Sequence, residues 1–174
     1  MITIVAGTNR PESLTLKFAT IYKELLERSA NEVMLLSLAD IPASVYLNGS
    51  YEHHSTPHEL QQLQEEYFIP AEKYVFIFPE YNGSLPGILK LLIDSLNPKM
   101  AFKGKKASLI GIANGRAGNL RGLDHLSSIL MHMQVTVLPY LLPVSKVQAE
   151  FEENSLKEAT LKVVEDHIRR TIEF

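Results

Sequence analysis

The chain has 174 residues, 45% of them hydrophobic, which falls within the size range of one domain with a continuous core. Lys and Arg number 17 against 20 Asp and Glu, so the formal net charge of -3 gives no field strong enough to favour nucleic acid or anionic lipid. The absence of cysteine excludes disulfides, thiol nucleophiles, thiolate metal sites and iron–sulfur clusters, and any redox chemistry must therefore come from a bound cofactor.

The apolar runs of the chain are all short. Residues 1–6 are too few for a signal sequence, and no later run approaches the ~20 apolar residues of a membrane span. We therefore expect a cytoplasmic protein that has no membrane or nucleic-acid partner.

The first quarter of the chain alternates between strand and helix patterns. Residues 2–6 are nearly all apolar and end at turn residues, which is typical of a strand buried on both faces. Ser13 can cap the helix that follows, in which apolar residues recur at helical spacing as far as Leu26. Residues 33–38 are a second apolar run. Residues 40–57 are rich in Pro, Ser, Asn, Gly and Tyr, which predicts a long loop of the kind that often borders a site.

The same alternation continues to the end of the chain. The predicted helices are 58–71, 86–96, a segment with Leu123, Leu126, Leu130 and Met133 on its buried side, and 155–172, and the predicted strands are 74–78, 107–113 and 135–138. The 86–96 helix is so apolar that it is compatible with a partner surface. Because no linker divides the chain, we expect one domain over residues 1–174, built on a doubly wound parallel sheet.

Ligands of such sheets bind at the carboxyl ends of the strands, and the loops there are unusual in this sequence. The first loop, residues 7–13, gathers hydroxyl, amide and guanidinium groups at a helix N-terminus, where a phosphate is favoured. It lacks both the spaced glycines of a dinucleotide fingerprint and the G-K-[ST] of a P-loop. A capped helix start with an exposed Arg remains the alternative interpretation.

Two further loops follow the third and fourth strands. Residues 79–87 contain two prolines, two glycines and a central Tyr, Asn and Ser, which suits the edge of a flat aromatic ligand but also an ordinary tight turn. Residues 114–119 are glycine-rich, and their N–H groups can donate to a ring carbonyl, while Arg116 adds a fixed charge. The three loops occur in the order that a single site at the switch point of the sheet requires.

Two of these loops carry a family resemblance. Residues 7–13, Gly-Thr-Asn-Arg-Pro-Glu-Ser, are similar to a G-S-x-R-x-x-S phosphate loop, with Thr8 in place of Ser. Residues 79–90 resemble the long and specific signature P-E-Y-N-x-S-x-P-G-x-L-K, and Asp94 matches the Asp that follows it. On these motifs the chain resembles the NADPH-dependent FMN reductase family, flavodoxin-like proteins that include chromate, quinone and azo-dye reductases. The similarity in element order runs from residue 2 to about residue 170.

The resemblance implies a flavodoxin-like five-stranded parallel sheet of order 2-1-3-4-5, with helices on both faces and FMN at its carboxyl edge. The residues implied at the FMN phosphate are Thr8, Arg10 and Ser13, with Asn9 and Thr15 nearby. Those implied beside the ring and ribityl chain are Pro79, Glu80, Tyr81, Asn82 and Gly83 from the second loop and Asn114 and Gly115 from the third. The sequence departs from the family at Thr15, commonly Asn, and at Ala117, where a glycine pair is often seen.

The implied activity is hydride transfer from NADPH or NADH to FMN and then to a small acceptor, such as a quinone, an azo compound, a metal oxyanion or free flavin. Because the cofactor performs this chemistry, no acid–base pair is required and no residue is assigned as catalytic. The resemblance also implies a homodimer or homotetramer. Glu80 can instead be structural, pairing with an Arg such as Arg116 across a dimer contact.

Two other classes of function stay open. A flavodoxin-type electron carrier shares the fold and FMN, but its phosphate loop normally lacks an Arg and its surface is strongly acidic, which fits a net charge of -3 poorly. A flavodoxin-like module that has lost FMN and serves in assembly or regulation is the second alternative.

Five of the six histidines are expected to be solvated or to pack in place, because no carboxylate spacing completes a metal-binding motif. They are His53, His54 and His58 near the long loop and His125 and His132 in the fourth helix. Tyr46 and Tyr51 can cover the flavin or simply pack on the surface.

Overall fold

The computed structural model describes residues 1–30, 32–47, 57–153 and 155–174. The strands are β1 (Ile2–Ala6), β2 (Val33–Ser37), β3 (Lys73–Pro79), β4 (Lys106–Ile112), β5 (Thr136–Val137), β6 (Leu142–Val144), β7 (Phe151–Glu152) and β8 (Ser155–Leu156). The α-helices are α1 (Leu14–Leu26), α2 (Ala43–Leu47), α3 (His58–Leu63), α4 (Gly87–Ser95), α5 (Pro98–Ala101), α6 (Leu120–His132) and α7 (Glu158–Glu173). A π-helical turn, Gln64–Phe68, continues α3, and a 3-10 turn, Val147–Glu150, follows β6.

The central sheet is parallel and its strands follow the order β2-β1-β3-β4-β5, with β6 also paired to β4. This confirms the predicted doubly wound sheet in the flavodoxin-like order 2-1-3-4-5. In the register of the sheet, Ala6 lies opposite Ser37 and Ile77, and Pro79 lies opposite Ile112. The loops after β1, β3 and β4 therefore start from one edge.

The fifth position of the sheet holds two short strands rather than the single strand predicted at residues 135–138. Thr136 of β5 pairs with Lys106 at the start of β4, and Val144 of β6 pairs with Ile112 at its end. Pro139, between the two strands, has no N–H group to donate to a ladder, which favours an interruption at this point.

Helices cover both faces of the sheet, as predicted. On one face, Phe18 of α1 and Val164 of α7 are fully buried in the same apolar cluster as Ile4. On the other face, Leu92 of α4 packs in the cluster that contains Val5 and residues of α6. Consecutive residues of β1 thus point into opposite layers, which explains why the whole run is apolar.

Two helical predictions and one loop prediction need correction. The 58–71 helix ends earlier, at the π-helical turn, where the Tyr74 hydroxyl donates to the Phe68 carbonyl at 2.9 Å. The last helix begins at residue 158 instead of 155, because β7 and β8 form a short antiparallel pair just before it. Part of the predicted 40–57 loop is α2, and residues 48–56 lie outside the described residues.

Candidate functional site

The carboxyl ends of β1, β3 and β4 surround one cavity of about 570 Å³, within the usual range for small-molecule sites. Its lining comprises Arg10, Pro11, Glu12, Ser13, Leu14 and Thr15 beside β1, Pro79, Glu80, Tyr81, Asn82 and Gly83 beside β3, Ile112, Ala113, Asn114 and Gly115 beside β4, and Val147. The structure thus brings the three predicted loops together.

The N-terminus of α1 forms one wall of the cavity. Ser13 caps this helix as predicted, since its Oγ accepts a hydrogen bond from Leu16 N at 3.1 Å. The N–H groups of Leu14 and Thr15 have no acceptor among the described residues. Free N–H groups at the positive end of a helix dipole make a site for an anion such as phosphate. Glu12 is left-handed, with a φ of 51°, a conformation that costs free energy and often occurs at binding loops.

The charged side chains of the lining are unpaired within the described part of the chain. Arg10 is exposed and forms no ion pair there, so its guanidinium group is available to a ligand phosphate. Glu80 in the lining and Arg116, which lies outside it, also form no ion pair with a described residue. Pairing of Glu80 with Arg116 across a dimer contact stays a prediction.

Thr8 and Asn9 are the two predicted site residues that do not line the cavity. Asn9 is exposed beside it. Thr8 is only 2% exposed, and its Oγ1 lies 2.8 Å from the Tyr81 hydroxyl. Thr8 therefore contacts the second loop instead of the cavity.

The second loop is a tight hairpin. Tyr81 N donates to Ser84 O at 3.0 Å and Ser84 N donates to Tyr81 O at 3.1 Å, which closes a two-residue turn. The two residues of the turn, Asn82 and Gly83, have φ values of 52° and 75°. Asn-Gly is the favoured pair for such a turn because both positions need positive φ. The Ser84 hydroxyl is also hydrogen-bonded to His125 of α6, at 2.8 Å, which fixes the base of the turn.

The third loop is held in place by the segment after β6. The hydrogen bonds run from Lys146 N to Gly115 O (3.2 Å), from Val147 N to Ala113 O (3.0 Å) and from Gln148 N to Asn114 Oδ1 (3.2 Å). The N–H groups of Asn114 and Gly115 have no acceptor among the described residues, so both can donate to a ligand.

The glycines around the site have two distinct roles. No atom lies within 4 Å of the point where a Cβ of Gly115 would stand, so this backbone is open to a ligand. A Cβ on Gly7 would instead lie 2.7 Å from Phe78 Cβ, and one on Gly118 would lie 2.7 Å from Val144 N. Gly7 and Gly118 are therefore required for the close packing of the loops against β3 and β6.

Ten of the twelve residues predicted from the sequence line the cavity. The lining residues that the sequence analysis missed are Pro11, Glu12, Leu14, Ile112, Ala113 and Val147. Four of them directly adjoin predicted positions along the chain, and Ile112 lies two residues before Asn114, so these five could have been included. Val147 is distant in sequence, and its N–H group donates to the carbonyl of Ala113, another lining residue.

The remaining candidate residues lie elsewhere. Tyr46 is buried and donates to the Leu38 carbonyl at 3.3 Å, so it packs in the core and does not cover the cavity. His58 and His132 are exposed. The described residues contain no group of three metal-ligating side chains. Tyr51, His53 and His54 lie outside the described residues.

None of the described helices combines the length and the apolar character that crossing a bilayer requires.

A parallel sheet of order 2-1-3-4-5, with a polar cavity at the carboxyl ends of β1, β3 and β4, defines a flavodoxin-like α/β protein with its ligand site at the switch point. Residues 1–149 match the model of the NADPH-dependent FMN reductase family, and the chain belongs to this family. The resemblance found in the sequence is thus confirmed. The proteins of this family are described as NADPH-dependent FMN reductases.

Individual relatives have low sequence identity and match only part of the chain. An NAD(P)H-dependent FMN reductase of Pseudomonas aeruginosa is 34% identical over 104 residues, which are 59% of this chain and 56% of that protein. A quinone reductase of Pseudomonas putida is 28% identical over 127 residues, 71% of this chain and 65% of that protein. The chain therefore spans less than two thirds of the length of these curated relatives.

The fold is shared with solved structures over its whole length. The structure of FerB, a flavoenzyme NAD(P)H:(acceptor) oxidoreductase from Paracoccus denitrificans, superposes with a TM-score of 0.76 at 21% identity and covers 99% of this chain and 94% of FerB. At this level of identity, the similarity demonstrates a common fold.

Proposed function

We propose that this chain is an NAD(P)H-dependent oxidoreductase that binds FMN in the cavity at the carboxyl edge of its sheet. The observation that carries the proposal is a set of unsatisfied hydrogen-bond donors in the lining of the cavity. It consists of the free N–H groups of Leu14 and Thr15 and the unpaired guanidinium group of Arg10, all three residues being part of the lining. Such a set of donors fits a phosphate, and FMN carries its phosphate at one end of an elongated molecule.

In this proposal the first loop holds the phosphate. The dipole of α1 and the charge of Arg10 act together on the anion, and charge-assisted hydrogen bonds of this kind are among the strongest in proteins. The Ser13 oxygen already accepts from Leu16 N, but its hydroxyl hydrogen remains available to donate to the phosphate.

The second and third loops hold the ring and the ribityl chain. The free N–H groups of Asn114 and Gly115 can donate to a ring carbonyl, where negative charge develops on reduction. Tyr81, Asn82 and Gly83 of the second loop also line the cavity. When bound, FMN supplies the redox chemistry, by taking a hydride from the reduced nicotinamide and passing electrons to an acceptor. We assign no residue as an acid or base.

The acceptor is proposed as a small molecule: a quinone, an azo compound, a metal oxyanion or free flavin. The Pseudomonas putida relative is named a quinone reductase, which favours a quinone as the first acceptor to test. No built subsite for a particular acceptor is needed, since an acceptor could meet the same open flavin face as the nicotinamide.

The decisive experiment is an absorption spectrum of the purified protein with added FMN, followed by anaerobic NADPH and, separately, NADH. We expect a bound-flavin spectrum that bleaches when the nicotinamide is added and returns with a quinone. Bound FMN that neither nucleotide reduces would indicate an electron carrier instead. A protein that leaves FMN free in solution would indicate a module that has lost its cofactor.

Replacing Gly115 tests where the flavin lies. The variant Gly115→Val places a branched side chain in the cavity, and we expect about tenfold weaker FMN binding from the resulting steric conflict. Gly87→Val is the matched control, because Gly87 also has no atom within 4 Å of its Cβ position but does not line the cavity. Titration of flavin fluorescence gives both affinities. Equal effects of the two substitutions would contradict the placement of FMN beside Gly115.

The assembly and location are also proposals. We propose a single domain over residues 1–174 that acts in the cytoplasm, where NADH and NADPH are generated, as a homodimer or homotetramer. In support of an oligomer, Leu120 and Met131 of α6 are 49% and 57% exposed, and their separation places both on one side of the helix. Light scattering of the purified protein tests the oligomeric state, and a monomer would contradict the proposed dimer or tetramer. Cell fractionation tests the cytoplasmic location.

A further inference from the structure

A hydrogen bond joins the two loops proposed for the phosphate and the ring. Thr8 Oγ1 lies 2.8 Å from the hydroxyl of Tyr81, a residue 73 positions away in sequence. Thr8 Oγ1 also accepts a hydrogen bond from Arg10 N at 3.3 Å. One side chain therefore touches both the backbone of the phosphate loop and the tip of an aromatic side chain from the other loop.

The Thr8 hydroxyl group has little hydrogen-bonding capacity and little exposed surface left for a ligand. Its hydroxyl group has one donor and two acceptor sites, and the contacts with Tyr81 and Arg10 occupy two of these three. Thr8 is 2% exposed and does not line the cavity, so a bound phosphate would not reach it without displacing the residues that cover it.

Tyr81, in contrast, is half-buried and lines the cavity. Its backbone is fixed by the reciprocal hydrogen bonds with Ser84, and the Arg10 guanidinium carbon lies 6.0 Å from the centroid of its ring. The hydrogen bond to Thr8 fixes the far end of the side chain. Without this bond the ring would keep its backbone position but could turn about its side-chain torsions.

We propose that Thr8 is a positioning residue that holds the Tyr81 ring in its place against the flavin, and that it does not contact the phosphate. The proposal rests on the FMN site proposed above. It assigns Thr8 a different role from that of Ser13, although both hydroxyl groups belong to the same short loop. The order in Tyr81 exists before the ligand arrives, so FMN binding does not have to immobilise the ring.

Riboflavin separates the two roles, because it has the ring and the ribityl chain but no phosphate. Loss of a phosphate ligand weakens the binding of FMN alone, whereas loss of ring positioning weakens the binding of both flavins by the same factor. For Thr8→Val we expect about fivefold weaker binding of FMN and of riboflavin, the effect of one ordinary hydrogen bond. Ser13→Ala is the matched control and should weaken FMN binding only. Flavin fluorescence titration measures all four affinities.

A double-mutant cycle with FMN gives an independent test. If Thr8 acts through Tyr81, the variants Thr8→Val, Tyr81→Phe and the double variant should all bind FMN about fivefold more weakly than the native chain. Independent roles would instead multiply, to about 25-fold in the double variant. Thr8→Ser keeps the hydroxyl group and should restore binding to near the native value. Far-UV circular dichroism checks that each variant is folded.

The outcomes distinguish this inference from the proposed function. Equal loss for both flavins, a non-additive cycle and rescue by Ser establish the positioning role. A loss confined to FMN, an additive cycle or unchanged affinity in Thr8→Val overturns it while leaving the FMN site intact. If the native chain binds no FMN, the proposed function fails first and this inference fails with it.

Discussion

Arg10→Ala is expected to weaken FMN binding by about 1.5–3 kcal/mol, roughly 10- to 150-fold, the range for a hydrogen bond to a charged group. The Arg10 side chain lines the cavity next to the N-terminus of α1 and has no carboxylate partner among the described residues. Its charge is therefore free for the phosphate. The affinity is measured by fluorescence titration at two salt concentrations, because loss of a charge contact should also reduce the salt dependence.

Arg116→Ala is the matched control for this substitution. Arg116 is exposed, also lacks an ion pair with a described residue, and does not line the cavity. Its removal should change FMN affinity little. If Arg10→Ala and Arg116→Ala have the same effect, the phosphate lies somewhere other than the first loop.

The second large effect concerns His167, a fully buried residue of α7 on the face of the sheet covered by α1. Its Nδ1 lies 2.9 Å from the Tyr22 hydroxyl, and its Nε2 has no partner among the described residues. Burial lowers the pKa of His167 to about 4; the nearby carboxylate of Asp166 opposes this shift and the charge of Arg170 adds to it. The imidazole is thus neutral in the folded chain at neutral pH.

This lowered pKa predicts acid instability with a defined range. In the unfolded chain the pKa of a histidine is near 6.5, so between about pH 6.5 and 4 the unfolded state binds a proton that the folded state excludes. The contribution to stability is complete above pH 6.5, falls as the pH drops, and is lost by about pH 4. We expect a loss on the order of 3 kcal/mol in the free energy of unfolding.

Comparison with His167→Gln isolates this effect from the titration of carboxylates. Glutamine can either accept a hydrogen bond from the Tyr22 hydroxyl or donate one to it, but it has no charge to gain in this range. Urea unfolding of both chains at several pH values between 7 and 4 should show the steeper loss of stability only for the native chain. Parallel pH profiles for the two chains would refute the assignment.

The architecture of this chain could be predicted from sequence because its strands are buried on both faces. Runs such as residues 74–78 are apolar throughout, and their turn-rich ends mark the loops, which is enough to order a parallel sheet. The break in the fifth strand was not predicted, because the second part, Leu142–Val144, is only three residues long and contains a proline. The π-helical turn at Gln64–Phe68 was not predicted either; the Phe68 carbonyl at its end accepts a hydrogen bond from Tyr74, a tertiary contact that leaves no local signal in the sequence.

The cavity lining was predicted well where a motif runs along the chain, as at residues 79–83. The predicted role of a residue was less accurate where its side chain contacts another loop instead of the cavity. Thr8 has the right chemistry for a phosphate ligand, and only the three-dimensional structure shows that its hydroxyl group meets Tyr81. Val147 carries no chemical signal at all, since an aliphatic residue near the end of a sheet is normally part of the core.

The interrupted fifth position of the sheet also affects how copies of this chain could meet. The edge of the sheet at this position is formed by two short strands, β5 with two residues and β6 with three. A connection that contains Pro139 separates them. Such an interrupted edge offers no continuous row of backbone donors and acceptors with which a strand from a second molecule could pair. On this side, self-association would have to use side chains on the helices, and aggregation by addition of strands is discouraged.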